Sequence, residues 1–98
     1  MVVTMKLLPL LVLLIPLSAS ANTPRQIAEF LLDNEPAMVQ ENCLYMRRIN
    51  ASGYSVYSSY FRKKAIAKMT ERGMSYSEAE KFNNAMVIAV TRMCSDVR

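Results

Sequence analysis

Ser75–Val97 reads SYSEAEKFNNAMVIAVTRMCSDV, and this stretch sets the fold class. Ser75 followed three residues later by Glu78 forms a capping box, in which each side chain takes the other residue's orphan backbone N–H. Behind it, Ala79, Phe82, Met86, Ala89, Val90, Met93 and Val97 fall on one half of a helical wheel, while Lys81, Asn84, Arg92 and Asp96 lie mostly on the other. The spacing predicts an amphipathic helix over about Tyr76–Val97, and no part of it alternates as a strand would.

Working back toward the N-terminus, Gly73 sits where a left-handed residue closes a helix, with Met74 able to reach Met69 across the stop. That predicts a third helix over about Tyr54–Arg72. Asn50-Ala51-Ser52-Gly53 marks the break before it. A second helix is expected from Glu35 or Pro36 to Asn50. Met38, Val39, Cys43, Tyr45, Met46 and Ile49 share its apolar arc, Asn42 intrudes on that arc, and Leu44 lies outside it. A short leading helix starts at Thr23-Pro24-Arg25-Gln26, where Thr23 caps, Pro24 suits the first turn and Gln26 closes the box. Ile27, Phe30 and Leu31 give it an apolar face, and it stops near Asp33-Asn34 because Pro36 disfavours helical backbone at Glu35. The expected fold is all-α: a small helical bundle of one short and three longer helices, a single domain over residues 22–98.

Met1–Ala21 reads as a signal peptide. Lys6 is its one charge, Leu7–Leu17 its apolar run, and Ser18-Ala19-Ser20-Ala21 places Ala at −3 and −1 of a cut before Asn22. The apolar run is far short of the roughly 20 residues a membrane span needs. Met5-Lys6-Leu7 begins a more compact version of the same signal. The expected location is therefore periplasmic or secreted, after cleavage near Ala21/Asn22. Loss of Lys6 lowers the net charge from +4 to +3.

An exported chain enters an oxidising compartment, where the two cysteines, Cys43 and Cys94, are expected to pair. Each lies at the edge of its helix's apolar arc, and the bridge closes a loop of 52 residues counting both ends. The absence of a C-x-x-C or a nearby histidine argues against a redox role.

Composition also excludes chemistries. The chain has no histidine, hence no Ser-His or Cys-His pair, and no Gly-rich loop to cradle phosphate. Two cysteines alone do not make a zinc or iron–sulfur site. Asp33/Glu35 and Glu78/Glu80 are close acids, but they sit at expected helix starts, where they favour the helix dipole. The six methionines after Ala21, including Met38, Met46, Met69, Met86 and Met93, read as packing rather than copper ligands. The chain is read as a non-enzyme without metal or cofactor. Asn50-Ala51-Ser52 matches an N-glycosylation triplet, which matters only in a eukaryotic source.

What is left for function is surface. Arg62-Lys63-Lys64-x-x-x-Lys68-x-x-Glu71-Arg72 holds five basic residues and one acid, and Lys64, Lys68 and Arg72 recur every four residues. Extended toward the N-terminus, the stripe reaches Tyr57 and Phe61. Tyr57, Phe61, Lys64, Lys68 and Arg72 are thus the candidate contacts, offering aromatic groups beside cations to an acidic partner. Val56, Tyr60 and Ala67 fall on the other side of that helix, so it is either central in the bundle, the favoured reading, or offers a face to a partner.

The layout resembles that of small exported helical proteins with one bridge, among them immunity proteins and inhibitors, phage antiholins and enterobacterial acid-stress chaperones. The likeness is of architecture and carries no residue across. The expected function is a non-enzymatic factor binding a protein partner, with a homodimer allowed. The alternatives are a cationic protein on an anionic envelope or lipid surface, and a periplasmic stress chaperone. Nucleic acid suits the basic residues but not an exported protein.

Overall fold

A computed structural model describes residues 22–98, so the signal peptide assigned to Met1–Ala21 lies outside the described residues. Four helices follow in order: α1 (Pro24–Asn34), α2 (Pro36–Ala51), α3 (Ser59–Glu71) and α4 (Tyr76–Met93), with no strand among the described residues. Their ends follow local chemistry. Thr23 and Gln26 exchange hydrogen bonds of 2.9 and 3.2 Å, as do Ser75 and Glu78 at 3.2 and 3.1 Å, so both capping boxes form. Gly73 takes φ +101°, and Met74 N–H returns to Met69 O at 3.2 Å, which makes the Schellman stop. Gly53, at φ +95°, repeats it for α2, with Tyr54 N–H on Ile49 O at 3.2 Å.

The central helix is α4, which packs against each of the other three, most extensively against α1. Ala79, Ala85 and Ala89 are fully buried and let neighbouring helices approach closely. Ala85 on one side and Asn83 and Val87 on the other widen the buried arc beyond the expected half, to about 200° at 100° per residue. In α2 the pattern holds: Val39, Cys43 and Met46 are buried, Met38, Tyr45 and Ile49 pack on the core, and Leu44 is exposed. In α1 the buried face is Ile27, Ala28 and Leu31, which turns Phe30 outward to 47% exposure. Met46 and Met86 are core residues, and Met38 and Met93 pack against the core.

Two helix boundaries differ from expectation. The third helix begins at Ser59, not Tyr54. Ser58 caps it by accepting from Phe61 N–H, and Ser55 turns the chain before it, accepting from Tyr57 N–H at 3.0 Å. These serine bonds compete with helical ones. Val56 is buried from this loop rather than from a second face of α3, with its N–H on Arg98 O at 3.0 Å. Tyr60 and Ala67 are exposed, so α3 is a one-sided peripheral helix and α4 takes the central place. The fourth helix ends at Met93. Cys94 is its C-cap, and Val97 is buried from the turn beyond.

Cys43 and Cys94 form the expected bridge, with Cα atoms 6.3 Å apart. It is the first of three ties between α2 and the C-terminal tail. Arg47 pairs with Asp96 through bonds of 2.7 and 3.0 Å, and Asn50 holds Arg98, accepting from its N–H at 3.0 Å and donating to its carbonyl. Residues 43, 47 and 50 share one helix face, so the tail runs along α2 in the same direction. The Asn50 amide also donates to Tyr54 O at 3.0 Å. A glycan on that nitrogen would leave one N–H where the fold uses two, so carbohydrate at the Asn50 triplet conflicts with this clamp.

The hydrogen bonds from Arg47 hold the Asp96 carboxyl below its ordinary range and raise the guanidinium in turn. A carboxyl lowered on folding contributes stability that is complete above its unfolded value, about 3.9, and is lost as pH falls through the lower folded value. Carbon-13 titration of Asp96 should show a depressed midpoint, and Arg47→Ala should return it to the ordinary range. A midpoint that ignores Arg47 would remove the ion pair from this account.

Candidate functional site

The break at Gly53 and the serine cap at Ser58 bring Tyr54 back over the first turn of α3. Its ring stacks on that of Tyr60, with centroids 4.2 Å apart and planes at 21°. One turn on, Lys64 Nζ lies 5.2 Å from the Tyr60 ring centroid and 3.4 Å from its hydroxyl oxygen. One turn further, Lys68 Nζ lies 5.8 Å from the ring centroid of Tyr45 on α2. Lys64 is therefore held at the hydroxyl edge of one tyrosine and Lys68 over the ring of another, which limits the wandering of both ammonium groups while leaving N–H donors directed at solvent. Exposed tyrosines are what protein contact sites favour at their centre, while lysines are depleted there and serve at the polar rim, where they steer an acidic partner.

The five residues expected to share one stripe divide. Lys64 and Lys68 stand together in this row. Phe61 does not: at 1% exposure it is a core residue, 6.0 Å from the Tyr45 ring, and it presents no surface to a partner. Tyr57 is 67% exposed but stands in the loop before α3, beside a cleft against α4. Arg72 is the exposed C-cap of α3, where a cation complements the helix dipole. Arg62, from the same basic run, is a strut to α4: it pairs with Glu80 and donates to Asn84 Oδ1 at 3.2 Å.

Tyr54, Tyr60 and Tyr45 complete the site and were not among the expected contacts. The i, i+4 spacing of Tyr60 and Lys64 is the signal that finds one of them. Tyr54 and Tyr45 reach the row only through the tertiary fold. Of the acid pairs, Glu78 closes a capping box and Glu80 holds Arg62, while Asp33 and Glu35 are exposed at the joint of α1 and α2. Among the described residues no group of three or more His, Cys, Asp or Glu is placed to hold a metal ion, and no helix is long and apolar enough to cross a membrane. Comparison with protein-family models, curated proteins and solved structures finds no match to this chain.

Proposed function

We propose that the chain is an exported, non-enzymatic protein-binding factor, of the inhibitor, immunity or accessory kind, that takes an acidic protein partner on its Tyr54–Tyr60–Lys64–Lys68 face. The single observation that carries this reading is the pair of lysines held against tyrosines, Lys64 at the Tyr60 hydroxyl and Lys68 over Tyr45, beside the exposed Tyr54–Tyr60 stack. Export is supported by the Ala19/Ala21 cleavage pattern and by the Cys43–Cys94 bridge, which suits an oxidising periplasm or exterior.

The test begins with the full precursor expressed in a bacterium, its periplasmic fraction taken without reducing agent. Intact mass should begin at Asn22, and a stoichiometric companion should co-purify. Calorimetry of that companion against Lys64→Glu/Lys68→Glu then measures the face. Reversing one surface charge opposite a carboxylate is worth about 1 kcal/mol, so the pair should weaken binding roughly 30-fold. The loss should shrink as salt rises. Unchanged affinity removes the row from the interface. Salt-sensitive binding to anionic vesicles, without a protein companion, would replace the protein partner by a membrane surface.

A further inference from the structure

A cleft of about 250 Å³ opens between the loop before α3 and the central helix. Val56 and Tyr57 line it from the loop, Arg62 from α3, and Asn83, Val87 and Ile88 from α4. Asn83 is 5% exposed and is the one buried polar side chain among the described residues. Its carboxamide makes no hydrogen bond to another side chain or to the backbone among the described residues. A buried amide without partners among Val56, Val87 and Ile88 is costly, and folded proteins rarely keep one without a use.

The chemistry of the cleft narrows what satisfies it. A carboxamide presents an acceptor and donors side by side, so its natural complement is another amide. Arg62 borders the cleft, yet its charge is committed to Glu80 and its remaining reach to Asn84. With that cation neutralised, nothing there selects an ion. The space is also below the ~300–1,000 Å³ of ordinary small-molecule pockets, and its walls are mostly apolar.

We propose that this cleft is a peptide subsite. Asn83 pairs with a main-chain amide of an extended segment of the protein partner, and an aliphatic side chain of that segment lies against Val56, Val87 and Ile88, with Tyr57 as the rim. The inference deepens the protein-binding reading and rests on it for the partner's class, but it uses residues outside the tyrosine–lysine row.

The experiment titrates N-acetyl-leucine N-methylamide into the oxidised, isotope-labelled chain. Saturable shifts are expected at the Asn83 side-chain amide and at the methyl groups of Val56, Val87 and Ile88. Asn83→Leu, which fills the same space without polar atoms, should keep the bridge and the dispersed spectrum yet weaken the probe at least about 10-fold. Asn83→Ala serves as a second variant with the same expectation. Lys64→Glu/Lys68→Glu should bind the probe as the unaltered chain does. Loss of the companion protein in that variant, with the probe retained, would then concern the lysine row alone, and the reverse pattern the cleft alone. No saturable shift at Asn83, or an affinity in Asn83→Leu and Asn83→Ala equal to that of the unaltered chain, overturns the subsite and leaves water as the amide's partner. Shifts at these residues that grow with protein concentration before any probe is added would also overturn it, because a second copy would then fill the cleft.

Discussion

Replacing Cys43 and Cys94 together by alanine is expected to lower stability by about 4 kcal/mol, read from urea unfolding of the oxidised protein and the variant. The magnitude comes from the loop: a separation of 51 residues gives the unlinked chain much more conformational freedom to lose on folding. A domain of this size holds about 4–12 kcal/mol in all, so the variant should lie near the margin, with its melting temperature lowered by roughly 15–30 °C. The native contacts around the bridge should survive, because Arg47–Asp96 and Asn50–Arg98 tie the same two segments. The helical spectrum at low temperature should therefore change little while the midpoint falls. The dependence on urea should steepen, since an unlinked denatured chain exposes more surface. Both sulfurs are buried, so comparison with the reduced, unaltered chain separates loss of the bridge from loss of sulfur packing. A fall below 1 kcal/mol would mean that the three ties are redundant and the bridge is dispensable for folding.

What the sequence made legible is what neighbours in the chain decide. The capping boxes at Thr23 and Ser75, the stops at Gly53 and Gly73, and the break before Pro36 each need only a few adjacent residues, and each forms as read. The pairing of Cys43 with Cys94 was readable from their number and from the expectation of export. The start of α3 was not legible for the opposite reason. Val56 N–H bonds the carbonyl of Arg98, a contact between distant parts of the chain, and that contact keeps Tyr54–Ser58 out of the helix, while the local bonds of Ser55 and Ser58 were signals that the reading passed over. Counting Tyr54–Ser58 as helix placed Phe61 on a surface row with Tyr57 and assigned α3 the central position. The true centre, α4, hides Asn83, Ala85 and Val87 outside its main apolar arc because helices close in on several sides, which periodicity in one segment does not report. Of the candidate face, Lys64 and Lys68 were readable from spacing. Their tyrosine supports on α2 and in the loop were not.

Phe61→Ala should cost about 3–5 kcal/mol, the range for emptying a buried phenylalanine site. Phe61 is the largest fully buried side chain, and Ile66 is the one other buried residue of α3. Removing the ring should therefore loosen α3 first, seen as faster amide exchange along Ser59–Glu71 before the other helices respond. The fall in urea midpoint should be large even though no charge changes. Tyr57→Ala, at an exposed loop position, should stay within about 0.5 kcal/mol of the unaltered chain. This ranking reverses what a shared contact stripe would give, where both aromatic groups would matter for binding and neither for folding. Phe61→Leu supplies the control: it keeps most of the buried area, should cost about 1–2 kcal/mol, and should bind the partner as the unaltered chain does while folded. If Phe61→Ala loses binding, Phe61→Leu should restore it, because the ring acts by holding the helix that carries Tyr60, Lys64 and Lys68. A Phe61→Ala protein that stays within 1 kcal/mol of normal stability, yet loses its partner, would place the ring at the interface after all. The core position described here would then be wrong.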